Sequence, residues 1–320
     1  MCKSFPMRKM IVTTLLPMVF QANAQNAEVA FRIPQKDIIP EGIAWDISSG
    51  DFFVGSIQKN KILRITAAGS VTDFVKTNQD GMHQVLGMMV DGDGKLWACN
   101  NTPEHDTINK ISSIHVYDVK TGKLHNTFIL KDGTKHLFND IHFTTSGDAY
   151  VTDSDGGGIY LIRRGSDKLE EFLKPGTLRY PNGLTSTKDG KKLFVTTGSL
   201  LGIATIDLQT KKVEKIPHEK FFIIGADGLY EYKNDLIAVQ NVVYPEGILR
   251  YTLSEDKTSF VGIEYLVSNH PLFDTPTTGV IAGDTFYFVA NSQLNQIDNE
   301  GKIKKPEKLN DTVIMKIKLN

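Results

Sequence analysis

Six short segments share one pattern: Glu41-Gly42-Ile43, Leu86-Gly87-Met88, Asn139-Asp140-Ile141, Asn182-Gly183-Leu184, Asp227-Gly228-Leu229 and Thr278-Gly279-Val280. Their first residues are 45, 53, 43, 45 and 51 positions apart. Four of the six leading residues, Glu41, Asn139, Asn182 and Asp227, are carboxylates or carboxamides. Aimed at one point, the two carboxylates repel each other unless one is protonated or a cation sits between them. Oxygen-only ligands in irregular geometry suit Ca²⁺ best, with Mg²⁺ or Mn²⁺ possible. Zinc fits poorly because no His or Cys occupies the column. Two plainer readings stand beside the metal site. Each segment alone is explained by a local turn, and the set as a whole by a hydrogen-bonded polar plug.

Something must aim these residues at one point, and the intervening sequence shows what. Each segment is followed by a turn: Ser49-Gly50-Asp51, Gly92-Asp93-Gly94, Ser146-Gly147-Asp148, Asp189-Gly190, Asn234-Asp235 and Gly283-Asp284. Such pairs between apolar runs signal hairpins. A second apolar run follows every turn, from Phe52-Phe53-Val54 in the first unit to Phe286-Tyr287-Phe288-Val289 in the last. A third follows, from Lys61-Ile62-Leu63 to Val313-Ile314-Met315. Units of about 47 residues with three or four strands read as blades stacked radially. The expected fold is all-β: a six-bladed β-propeller, with Val29 to Ile33 supplying the outer strand of the last blade and closing the ring. A two-sheet sandwich does not explain the sixfold register. The leading residues then ring one mouth of the central channel.

The chain has 320 residues, with 36 Lys+Arg against 37 Asp+Glu and two Cys. It is too apolar for a disordered chain and too poor in Cys for a disulfide scaffold. A near-neutral charge gives no footprint for nucleic acid. Lys3, Arg8 and Lys9 precede an apolar stretch from Met10 to Phe20 and then Ala22-Asn23-Ala24. Together these read as a signal peptide over 1–24, leaving one propeller domain over 25–320 that is exported to the periplasm or secreted. The apolar stretch is too short to span a bilayer, and no membrane span is expected elsewhere. Cleavage removes three positive charges and no negative ones, leaving 33 against 37, and leaves Cys99 as a lone buried thiol.

Four motifs carry a family resemblance. Pro40-Glu41-Gly42, Phe138-Asn139-Asp140, Pro181-Asn182-Gly183 and Ala226-Asp227-Gly228 resemble, in order and spacing, those of the SMP-30/gluconolactonase family of six-bladed propellers. The resemblance covers nearly all of the mature chain and is nearest to a secreted bacterial branch, marked by Gln240-Asn241 and Pro276-Thr277-Thr278-Gly279. It implies that Glu41, Asn182 and Asp227 bind a divalent metal, usually calcium, with Asn139 a substrate contact or outer ligand. It further implies lactone hydrolysis of a small-molecule substrate, with Asp227 or a metal-bound water as general base. Sugar-lactone members place an Arg two residues before the Asn of the Asn-Asp motif. Leu137 stands there, which disfavours a gluconolactone-like substrate and favours something less polar, or a different activity.

His83 and His136 each lie three residues before the column, where either is a candidate base or simply a surface histidine. Ser56-Ile57-Gln58-Lys59 and Lys120-Thr121-Gly122 match β-lactamase elements, but lie at strand ends without an S-D-N partner. Asp155-Gly156-Gly157-Gly158 leads into a strand rather than a helix, so it is no phosphate cradle. Against the lactonase stands a non-catalytic propeller that binds a ligand or partner around a structural calcium. A strictosidine-synthase-like activity is disfavoured, since those propellers lack this oxygen set in this order.

Overall fold

The computed structural model describes residues 27–103, 105–106, 108, 110–198, 202–216, 223 and 225–320. The expected signal peptide lies outside the described residues. Among the described residues, twenty-four strands form six four-stranded antiparallel sheets. The innermost strands are β2 (Pro40–Trp45), β6 (Gln84–Val90), β10 (Phe138–Phe143), β14 (Pro181–Ser186), β18 (Ala226–Tyr232) and β22 (Gly279–Ala282). They touch in that order, and β22 touches β2 again. The sheets therefore form a ring of six blades around a channel, the propeller architecture expected from the repeat. In the last sheet, β1 (Glu28–Ile33) pairs antiparallel with β24 (Thr312–Lys318), which pairs in turn with β23 (Thr285–Val289).

The turns form where the sequence supplies left-handed backbone. Gly50 (φ 75°) and Gly147 (φ 85°) adopt a conformation that costs other residues about 1 kcal/mol or more. The core lies between the blades. Six apolar clusters each draw on two neighbouring sheets; one joins Phe53, Ile62 and Val75 of the first blade to Val85, Leu96 and Ala98 of the second. Strands near the ring axis are packed on both faces, so β3 (Phe52–Ser56) is buried at every residue. Outer strands such as β5 (Val71–Val75) expose their middle residues. Cys99 is a free, buried thiol in this apolar packing.

The repeated segments are not turns. Five of the six lie within the innermost strands, and each interrupts the ladder there. In the first blade Pro40 pairs with Ser56 and Ile43 with Val54, so Glu41 and Gly42 together oppose one residue. The same two-against-one bulge occurs at Leu86-Gly87, Asn139-Asp140, Asn182-Gly183 and Asp227-Gly228. A bulge re-aims the side chain it carries. Glycine after the aimed residue has a steric reason: a Cβ on Gly42 would lie 2.0 Å from the Leu86 carbonyl oxygen, and one on Gly183 2.2 Å from that of Asp227. Neighbouring inner strands meet backbone to backbone at these points.

Candidate metal and substrate site

A cavity of about 830 Å³ opens at the end of the channel where the innermost strands begin. Glu41, Leu86, Asn139, Asn182 and Asp227 all line it. Thr278 does not; its hydroxyl donates instead to the Glu41 carbonyl. The five bulges thus bring together the residues expected at the mouth.

Neighbouring side chains fix these residues and leave one oxygen of each free. Thr277 donates to the Glu41 carbonyl at 3.0 Å, Thr152 to that of Asn182 at 2.8 Å and Thr196 to that of Asp227 at 3.1 Å. The Asn139 amide nitrogen donates to Ser154 Oγ at 3.0 Å, which turns its oxygen away from that contact. Asn241 Nδ2 donates to Asp227 Oδ2 at 2.6 Å and to the Pro276 carbonyl at 2.8 Å. Nine buried side-chain N or O atoms among the described residues lack any partner. Four of them are Glu41 Oε2, Asn139 Oδ1, Asn182 Oδ1 and Asp227 Oδ1. Each unmet buried acceptor costs about 1–3 kcal/mol. Their concentration at one point leaves four buried oxygens able to accept from a ligand or to hold a hard cation.

The electrostatics agree. Burial raises the Glu41 carboxyl well above its ordinary range, and the charges of Asp227 and Asp140 raise it further. Burial also pushes Asp227 up to about 7, against hydrogen bonds from Asn241 and Asn182 that lower it. None of the ion pairs among the described residues reaches Glu41, Asp140 or Asp227. No group of three or more His, Cys, Asp or Glu poised for a metal exists among the described residues. The donor set is instead two carboxylates and two carboxamides, the hard oxygen chemistry that fits calcium rather than zinc.

The two histidines separate. His83 is absent from the cavity lining, whereas His136 lines it with a side chain only 3 % exposed. His136 is not a surface histidine, and both its ring nitrogens are engaged. Nδ1 meets Asp153 Oδ2 at 2.5 Å; Nε2 meets Thr134 Oγ1 at 2.8 Å and both Asp132 oxygens at 3.1 Å. The bond to Asp153 is the main cause of its raised pKa. With both ring nitrogens engaged, the imidazole has none free to face a substrate or water in the cavity.

The Asn139 segment also contributes Asp140, whose role the repeat did not disclose. Its carboxyl accepts from the Ile141 and Leu184 backbone amides at 2.9 and 3.4 Å. Burial raises it to about 7, with the Asp227 charge adding to that rise. It lines the opposite end of the channel with Tyr230 and Thr278. The sequence likewise gave no indication that Ser154 orients Asn139. Asn241 had a weak signal, as part of the Gln240-Asn241 pair in the family resemblance.

The SMP-30/gluconolactonase/LRE-like family model matches residues 39–232, the stretch that contains all four motifs. The chain belongs to the SMP-30/gluconolactonase/LRE-like family. Solved structures with the same fold are distant in sequence. A gluconolactonase from Xanthomonas campestris is 14% identical, with 92% of this chain and 95% of that one covered and a TM-score of 0.61. Regucalcin, a calcium-binding protein from Agrobacterium tumefaciens, is 15% identical, with 91% and 96% covered and a TM-score of 0.61. Virginiamycin B lyase from Staphylococcus aureus is 19% identical, with 81% and 80% covered and a TM-score of 0.58. No curated protein sequence matches the chain. Membership of the SMP-30/gluconolactonase/LRE-like family thus rests on the stretch that builds the first four blades and opens the fifth.

Proposed function

We propose that the protein is a calcium-dependent hydrolase of lactones or related cyclic esters, acting after export from the cytoplasm. The observation that carries this reading is the set of four unpartnered buried oxygens, at the four family motif positions, on the floor of a substrate-sized cavity. Glu41, Asn182 and Asp227 would hold the cation, with Asn139 beside it toward the substrate. A bound Ca²⁺ supplies Lewis-acid polarisation of the ester carbonyl.

The remaining chemistry belongs to the side chains. The Asn139 amide, held by Ser154, orients the lactone. Asp227, anchored through Oδ2 by Asn241, takes a proton from water as the water oxygen bonds to the carbonyl carbon. The ring C–O bond then breaks, the leaving alkoxide receives that proton, and the product is a hydroxy acid. General-base catalysis of this kind contributes about 10²- to 10⁴-fold.

A lactone panel assayed with calcium and with chelator tests the reading. Hydrolysis is expected with calcium, is lost with chelator, and falls about 100-fold or more in Asp227→Asn. If Asp227→Asn and Asn139→Ala leave every detected activity unchanged, the hydrolase reading fails. Calcium binding without turnover of any lactone would leave the non-catalytic ligand-binding propeller.

A further inference from the structure

Part of the cavity lining is apolar, with Ile57, Leu86, Leu137, Leu294 and Ile297 set beside polar residues of the second blade such as Gln84, Thr102 and Lys110. Leu86 is the apolar member of the ring column, placed between Glu41 and Asn139, and it lines the cavity. Ile57 from the first blade and Leu137 from the third flank it in the lining. Leu137 stands two residues before Asn139, and both line the same cavity.

Part of this apolar lining comes from elsewhere in the chain. The connection between β23 and β24 contains a small hairpin closed by pairing of Ile297 with Ile303. Its turn is tied by backbone bonds between Asp298 and Lys302 at 2.9 Å and from Gly301 to Asp298 at 3.0 Å. Leu294 and Ile297 line the cavity, and with Ile303 and Leu137 they pack against the cluster that holds Ile57 and Leu86. The hairpin tip reaches the loop of the second blade, where a Cβ on Gly301 would lie 2.7 Å from the His105 ring. A segment from the connection before β24 therefore lines the cavity beside Ile57 of the first blade and meets the loop of the second.

We propose that the substrate is a cyclic ester bearing an alkyl chain, which lies beside this hairpin between Ile57, Leu86, Leu137 and Ile297 while the ester faces Asn139 and Asp227. This rests on the lactonase reading of the cavity and goes beyond it by specifying the substrate class. Hydroxyls turned toward these four side chains lose water and gain no partner from them. An alkyl chain loses nothing and buries its surface.

Two measurements on the full mature protein with calcium test the assignment. The first is kcat/KM for γ-lactones from γ-butyrolactone to γ-decalactone, with glucono-δ-lactone as the polar comparison. A rise of about threefold per methylene is expected, and Ile297→Ser should flatten that slope. The second is calorimetric binding of 5-alkyl-2-pyrrolidinones, lactams that are not turned over under these conditions. Their affinity should rise with chain length in the same way. Flat lactam affinity, or a preference for glucono-δ-lactone over γ-decalactone, overturns the proposal. Rising lactam affinity with no lactone hydrolysed upholds the alkyl sector and removes the hydrolase reading instead.

Discussion

Glu41 and Asp227 are two carboxylates withdrawn from water, side by side in charge and with no described cation to offset them. Their raised pKa values have consequences that can be measured. A native Asp227 that protonates near 7, against 3.8 in an open chain, binds more protons than the unfolded state between those values. Its contribution to the stability of the calcium-free protein is therefore lost as pH rises from about 4 toward 7. In chelator, the Tm of wild type relative to Asp227→Asn should fall across that range, as read by a thermal melt at several pH values. Calcium affinity should run the opposite way. Since a cation displaces the proton, affinity should drop about tenfold for each pH unit below 7. Glu41→Gln and Asp227→Asn should each lower bound calcium at equilibrium dialysis; retention of full binding by both would remove the metal site. These residues were legible in sequence because a column of oxygens at a fixed period needs no side-chain detail to be seen. Asn241 and Ser154 were not, because their role is to orient a group that is distant in the chain.

The element that aims these residues is the β-bulge. Asn-Gly and Asp-Gly between apolar runs normally mean a hairpin turn, and local chemistry favours that reading for each segment alone. The ring changes the outcome. Inner strands converge on the axis until the backbone of one blade contacts the next, and at Gly42 and Gly183 only a residue without a Cβ fits. Gly183→Ala should therefore destabilise the protein by about 3 kcal/mol, since its Cβ would sit 2.2 Å from the Asp227 carbonyl oxygen. Gly69→Ala provides the comparison. That glycine, unlike Gly183, has positive φ, and nothing lies within 4 Å of an added Cβ. Its cost should be only about 1 kcal/mol, the strain of a left-handed residue. Denaturant titration of both variants separates packing at the axis from backbone strain.

For the whole molecule, the pairing of β1 with β24 places residues from the two ends of the described chain in one sheet. Phe31 of β1 packs 5.2 Å from Phe52 and 6.3 Å from Tyr287, and Ile33 is fully buried, so this edge strand joins the first and last blades. Removing the residues through Ile33 should lower Tm by roughly 10 °C. It should also produce concentration-dependent association in light scattering, because the freed β24 edge is open to another chain.

The sequence by itself determined the six units, their turns and the four oxygen-bearing residues. Each of these follows from local pattern: strand-length apolar runs, residues that tolerate positive φ, and a repeat of about 47 positions. Tertiary structure decided the rest. It turned apparent turns into bulges, because the axis brings backbones together that lie more than forty residues apart. It removed His136 from the candidate bases by bracing it between Asp132 and Asp153. It also brought a hairpin from the connection before β24 to the loop of the second blade. Which side chains share a cavity depends on long-range packing, and no local window of the sequence contains it.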